Sequence, residues 1–150
     1  MAGVALNGSE IKLSTKNDYV KFSYEWSERH SDGDGGHETR YYTGHGSTDA
    51  DVEGKVSSTN LIFLNGVSIS TVGDKTSEHW VANPSPSAPK GSIKSVSPGR
   101  SGSGEGEVSG GSTKVFYKSK AVAMIGSTVK TMLDTDTTIE TGNEKINISS

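Results

Sequence analysis

The chain repeats itself, and the repeat limits what it can fold into. Residues 62–73, "IFLNGVSISTVG", slid forward by 53 positions, lie on 115–126, "VFYKSKAVAMIG", without a gap. Phe63 meets Phe116 and Gly73 meets Gly126, while Ile62, Leu64, Ile69 and Val72 meet Val115, Tyr117, Val122 and Ile125. A third, truncated copy, "GNEKINI" at 142–148, lies on "GSTKVFY" at 111–117, with Ile139 three before Gly142 as Val108 is three before Gly111. The first copy reads as a strand, a two-residue turn and a second strand. Asn65-Gly66 is the dipeptide that best tolerates positive φ at both central positions of a type I′ hairpin turn. A hairpin this small is not stable alone. Three copies predict a shared core that no single copy can bury.

Composition fits an all-β chain. Only 30% of the 150 residues are apolar, 19 are glycine, and serine and threonine abound, which favours short strands, many turns and a modest core. The length predicts a single domain over 1–150. A net charge of −3 offers no attraction to nucleic acid or an anionic membrane surface. Cysteine is absent, so neither disulfides nor thiolate metal sites are available. No stretch approaches the roughly 18 apolar residues of a membrane span, and the N-terminus lacks a signal peptide. The expectation is a soluble protein that leaves its cell, if it does, outside the general secretory route.

Other segments carry their own expectations. Val4, Ala5 and Leu6 lead into an Asn7-Gly8 turn, after which Ile11 and Leu13 alternate with polar residues. "YVKFSYEW" at 19–26 alternates strictly, with Val20, Phe22, Tyr24 and Trp26 on one face. With "TRYYTGHG" beyond a charged tip it predicts a hairpin at about 19–42, its aromatic face either buried against the rest of the protein or open to a sugar or partner. Trp80 is expected to pack at the same junction. The Pro-, Ser- and Gly-rich stretch over 83–106 predicts a flexible loop. Asp32 and Asp34 in "SDGDGG" are spaced as in calcium loops, but the twelfth position falls on Thr43 where a bidentate Glu is needed, so a solvated turn is the expectation. No Gly-x-Ser-x-Gly elbow, phosphate-binding glycine loop or paired carboxylates in a cleft-forming pattern is present, and no catalytic residue is assigned.

"TGHG" at 43–46, "NLIFLNGVSISTVGD" at 60–74 with His79 five residues past Asp74, and "GGSTKVFYKSKAVAMIG" at 110–126 resemble the PAAR-repeat proteins. The resemblance covers about 43–82 and 107–148, with Val4 to Gly8 a family-like start, leaving 19–42 and most of 83–106 as insertions. The name-giving Pro-Ala-Ala-Arg is replaced by Ser68, Ile69, Ser70, Thr71 in one copy and Ala121, Val122, Ala123, Met124 in the other. The Asn-Gly turn becomes Lys118-Ser119, and Gly73-Asp74 becomes Gly126-Ser127.

The resemblance implies a small conical β-rich fold and a structural role. Such proteins sharpen the spike of type VI secretion systems and related contractile phage tails, one monomer capping a trimeric β-helical spike. They meet the target-cell envelope when the sheath contracts, in a virion, a phage-like tail or a bacterial apparatus assembled in the cytoplasm. It further implies spike contact through apolar repeat residues, with Phe63, Leu64, Phe116 and Tyr117 as candidates. Family members commonly hold one zinc or iron ion near the apex with three histidines and often a cysteine. His45 and His79 match the first two ligands by position, and neither region expected to supply the others contains His or Cys. His37, Glu105 or Asp134 stand as candidates to complete the site, and a metal-free apex is the alternative. Two further readings are an adaptor carrying an effector cargo through the aromatic hairpin and long loop, and a metal-dependent enzyme built around His45 and His79.

Overall fold

The computed structural model describes residues 2–31 and 33–149. It is all-β, with 65% of residues in strands and no helix among the described residues. The strands are β1 (Ala2–Val4), β2 (Glu10–Ser31), β3 (His37–Ser57), β4 (Phe63–Leu64), β5 (Val67–Ser68), β6 (Lys75–Asn83) and β7 (Ser92–Ser97). They continue with β8 (Ser101–Val108), β9 (Phe116–Tyr117), β10 (Lys120–Ala121), β11 (Thr128–Lys130), β12 (Asp136–Thr138) and β13 (Asn143–Ile148). The chain forms two compact units. One comprises Met1–Lys16, Asp51–Trp80 and Gly102–Ser150, and the other Asn17–Ala50 and Val81–Ser101.

The first unit holds the repeats. Its strands run in the order β12-β11-β8-β6-β3-β2. The two ends of that row meet. Ile11 and Ile139 form an antiparallel bridge, the Glu140 N–H donates to the Glu10 carbonyl at 2.7 Å, and the Thr137 hydroxyl donates to the Lys12 carbonyl at 2.6 Å. Closure removes the unpaired edges that invite association with other chains. Inside sits one apolar cluster of Ala5, Ile11, Val56, Val108, Ala123, Val129 and Ile139, each no more than 3% exposed.

The inner face of β8 explains why 83–106 is not a loop. Residues 92–97 and 101–106 lie in β7 and β8, which correct the flexible loop expected there. Glycine alternates with polar residues at 102, 104 and 106. A Cβ at Gly102 would meet the Trp80 indole at 2.5–3.2 Å, one at Gly104 the Met132 thioether at 2.7–3.0 Å, and one at Gly106 the Thr76 hydroxyl at 2.8 Å. The small residues are the space into which neighbouring strands put large side chains. Trp80, 4% exposed, is buried this way.

The second unit holds the middle of the long β2/β3 pair and β7, in the order β3-β2-β7. The hairpin expected at 19–42 is part of strands reaching from Glu10 to Ser57, because polar residues between them also pair. The Asp18 N–H and the Ser47 hydroxyl donate to Asp49 and Asp18 carboxylates, each at 2.9 Å. β7 lines up antiparallel along β2, Lys21 opposite Ser97 and Phe22 opposite Val96. Of the aromatic face, Val20 is buried while Phe22, Tyr24 and Trp26 are half-buried. Phe22 and Tyr24 lie over Gly46 and Gly44, and Trp26 stacks between Tyr24 and Tyr42 at centroid distances of 5.6 and 5.5 Å.

Candidate functional site: three quasi-equivalent hairpins

β4 and β5 form the first hairpin, with Phe63 opposite Ser68 and Leu64 opposite Val67. Its turn residues Asn65 and Gly66 have φ of 52° and 80°, the positive values expected of type I′. β9 and β10 form the second, with Phe116 opposite Ala121 and Tyr117 opposite Lys120. Lys118 and Ser119 replace Asn-Gly, yet their φ values of 48° and 67° give the same turn. The repeat has thus kept the backbone after losing the residues that favour it.

The third hairpin draws its two strands from distant parts of the chain. β13 supplies the first strand and β1 the second, with Ile148 opposite Ala2 and Asn147 opposite Gly3. Those pairs match Leu64–Val67 and Phe63–Ser68 position for position. The truncated copy at 142–148 is thereby completed by residues 2–4.

After each hairpin the chain makes the same turn. Gly8, Gly73 and Gly126 have φ of 90°, 97° and 93°. A side-chain oxygen closes each turn one residue later: Ser9 Oγ, Asp74 Oδ2 and Ser127 Oγ accept from the N–H of Leu6, Thr71 and Met124, all at 2.9 Å. The glycine N–H groups donate to the carbonyls of Val56, Val108 and Ile139 at 2.8, 2.9 and 2.8 Å. Between hairpin and turn the three copies meet. Ala5 N–H donates to the Ala123 carbonyl, Ala123 to Ser70, and Ser70 to Ala5, at 3.0, 2.9 and 2.9 Å. This cyclic set of bonds joins three fully buried small residues. Only small side chains fit where three backbones converge. Ile11, Thr76 and Val129, each six residues past its ring member, are a further triplet of buried residues.

The candidate spike-contact residues sit on these hairpins. Phe63 and Phe116 are 55% and 57% exposed, and Leu64 and Tyr117 are half-buried. Sequence reasoning missed the part of β1 in the third hairpin, and the signal was there: Val4-x-x-x-Gly8 repeats as Ile69-x-x-x-Gly73 and Val122-x-x-x-Gly126.

The histidines are not gathered. His79, on β6 in the first unit, faces the Ser103 hydroxyl at 3.2 Å in a cleft of about 540 Å³ also lined by Leu13, Glu53 and Glu78. His45, on β3 in the second unit, lines a different groove with Lys21, Phe22 and Ser95. His37 is exposed at the start of β3. Among the described residues no three His, Cys, Asp or Glu side chains are grouped to hold a metal ion. Glu105 is exposed on β8, and Asp134 lies in the turn before β12 beside Lys130. Asp32 of the calcium-like spacing lies outside the described residues. Glu78 is 3% exposed and held internally, accepting from the Met132 N–H at 2.7 Å and from the Thr76 hydroxyl. No family model, curated protein or solved structure matches the chain.

Proposed function

We propose that this chain is the structural tip of a contractile injection machine, one copy seated on the blunt end of a trimeric β-helical spike. The observation that carries the reading is the quasi-threefold order of a single polypeptide: three hairpins, three glycine turns and one cyclic set of backbone bonds at Ala5, Ser70 and Ala123. A threefold partner presents three identical surfaces, and a lone chain meets all three at once only by carrying three matching elements. Nothing in this role needs chemistry from a side chain. Force from sheath contraction drives penetration of the target envelope, and a closed row of strands withstands the load.

The test is stoichiometry. The purified chain is mixed with trimeric β-helical spike proteins, and the mass of each complex is measured by native mass spectrometry. One copy per trimer is expected. Three copies per trimer, or no complex with any such spike, would overturn the reading.

The adaptor reading has one observation in its favour. In the second unit Tyr41, next in the chain to Tyr42 of the Tyr24–Trp26–Tyr42 stack, is 70% exposed. An adaptor loses cargo in a Tyr41→Ala variant while keeping its place on the spike, and a pull-down with both proteins present separates the two roles.

A further inference from the structure

The three hairpins are alike in backbone and unlike in side chain. Phe63, Phe116 and Asn147 occupy one equivalent position, opposite Ser68, Ala121 and Gly3. Two stations therefore present an exposed aromatic ring and the third an exposed amide. Single exposed apolar residues are ordinary on any surface. A phenylalanine more than half exposed at two symmetry-matched places is not a scatter of that kind.

Charge is distributed just as unevenly. Lys114, Lys118 and Lys120 crowd the second hairpin, on a chain whose net charge is −3. Among the described residues none of the three forms an ion pair, although Lys75, Lys90, Lys94 and Lys130 do. Lys118 instead lies 5.5 Å from the Tyr117 ring centroid. The matching positions of Lys114 in the other two copies are Leu61, 74% exposed, and Lys145. A cationic rim beside an exposed aromatic calls for a partner with an apolar seat bordered by carboxylates.

We propose that the stations dock as three unequal plugs in three identical seats of one threefold protein partner. Phe63 and Phe116 each fill an apolar seat, Asn147 leaves the third without an aromatic, and the lysines of the second hairpin face acidic groups around its seat. The inference rests on the tip reading, which supplies the threefold partner. Identical seats cannot each be matched to a different residue, so the asymmetry belongs to the monomer, and affinity is concentrated in two of three contacts.

Titration calorimetry with a trimeric β-helical spike that forms the one-per-trimer complex tests this, using the whole chain and single variants. Phe63→Ala and Phe116→Ala should each weaken binding by about 10-fold or more, as truncated anchor residues do. Asn147→Ala should change it by less than about 2-fold, and Asn147→Phe should tighten it by about 5-fold or more. Raising salt should weaken the wild type more than a Lys114→Ala, Lys118→Ala, Lys120→Ala triple variant. Circular dichroism on each variant checks that the fold is kept, and Asn147→Phe reads as a gain that misfolding cannot mimic. A complex with the right stoichiometry that ignores Phe63→Ala or is weakened by Asn147→Phe overturns the inference and leaves the tip reading standing. No such complex with any spike removes both. Self-association of the chain alone, lost in Phe63→Ala, would assign these stations to a second copy and overturn the inference as well.

Discussion

The Ala123 N–H donates to the Ser70 carbonyl at 2.9 Å, and the two residues stand 53 positions apart, the same offset that relates the first two copies in sequence. They are one residue of the repeat, meeting itself. Ser70 differs from Ala5 and Ala123 only by a hydroxyl, fully buried and without a hydrogen-bond partner among the described residues. Ser70→Ala restores the residue of the other two copies and removes a desolvated polar atom. It should stabilise the protein by about 1 kcal/mol, a gain of about 3 °C in melting temperature. Unchanged or lower stability in a thermal melt would mean the hydroxyl is satisfied in solution.

The second hairpin turn offers a gain of another kind. Lys118 and Ser119 hold φ of 48° and 67° with side chains that disfavour it. Ser119→Gly should stabilise by about 0.5 kcal/mol, the relief of strain exceeding the added freedom of the unfolded chain. The mirror substitution, Gly66→Ser in the first turn, should destabilise by a similar amount. Urea unfolding of the pair measures both.

Thr76 does two jobs in the buried triplet. Its hydroxyl donates to Glu78 and accepts from the Gly106 N–H at 2.9 Å. Thr76→Val keeps the shape but leaves a buried carboxylate short of a donor and a buried amide short of an acceptor. The expected loss is about 2–4 kcal/mol, far above that of an ordinary Thr→Val change. Adding Glu78→Gln to the variant should recover part of that loss, and full additivity in the double-mutant cycle would contradict the linkage.

In the second unit, Trp26 stacks on Tyr24 and Tyr42 and lies 4.5 Å from Lys90 Nζ. Trp26→Ala should cost this unit about 2–3 kcal/mol. Hydrogen exchange at β7 amides should quicken, while amides at Val108 and Val129 in the first unit keep their protection. Equal loosening of both would show that the units do not unfold separately.

The repeat was legible because its apolar and glycine positions survive: Phe63 with Phe116, and Gly73 with Gly126, are the residues that backbone geometry demands. Matching His45 and His79 to family positions says nothing of the donors that complete a site, and each histidine lines its own cleft. The stretch over 83–106 misled for a physical reason. Composition there is that of a loop, whereas the alternation of Gly102, Gly104 and Gly106 makes room for Trp80 and Glu78 of β6 and for Met132 in the turn after β11. A strand whose inner side chains are all supplied by its neighbours carries no apolar pattern of its own. β2 outran its expected start at 19 for a related reason: the polar Thr15 and Asp18 are tied to the Asp51 and Asp49 carboxylates of β3 rather than buried.

The ring at Ala5, Ser70 and Ala123 also governs how this molecule comes into being. Its three members are spread across the sequence, and β1 pairs along its length with the distant β13. Contacts so remote along a chain close slowly, because loop entropy must be surrendered before any of them returns stability. A nascent polypeptide reaching residue 120 would own most of its strands and still lack Ala123, the last member of the ring. Assembly is thus postponed until β13 has been made, and the waiting strands need shelter from one another in the meantime.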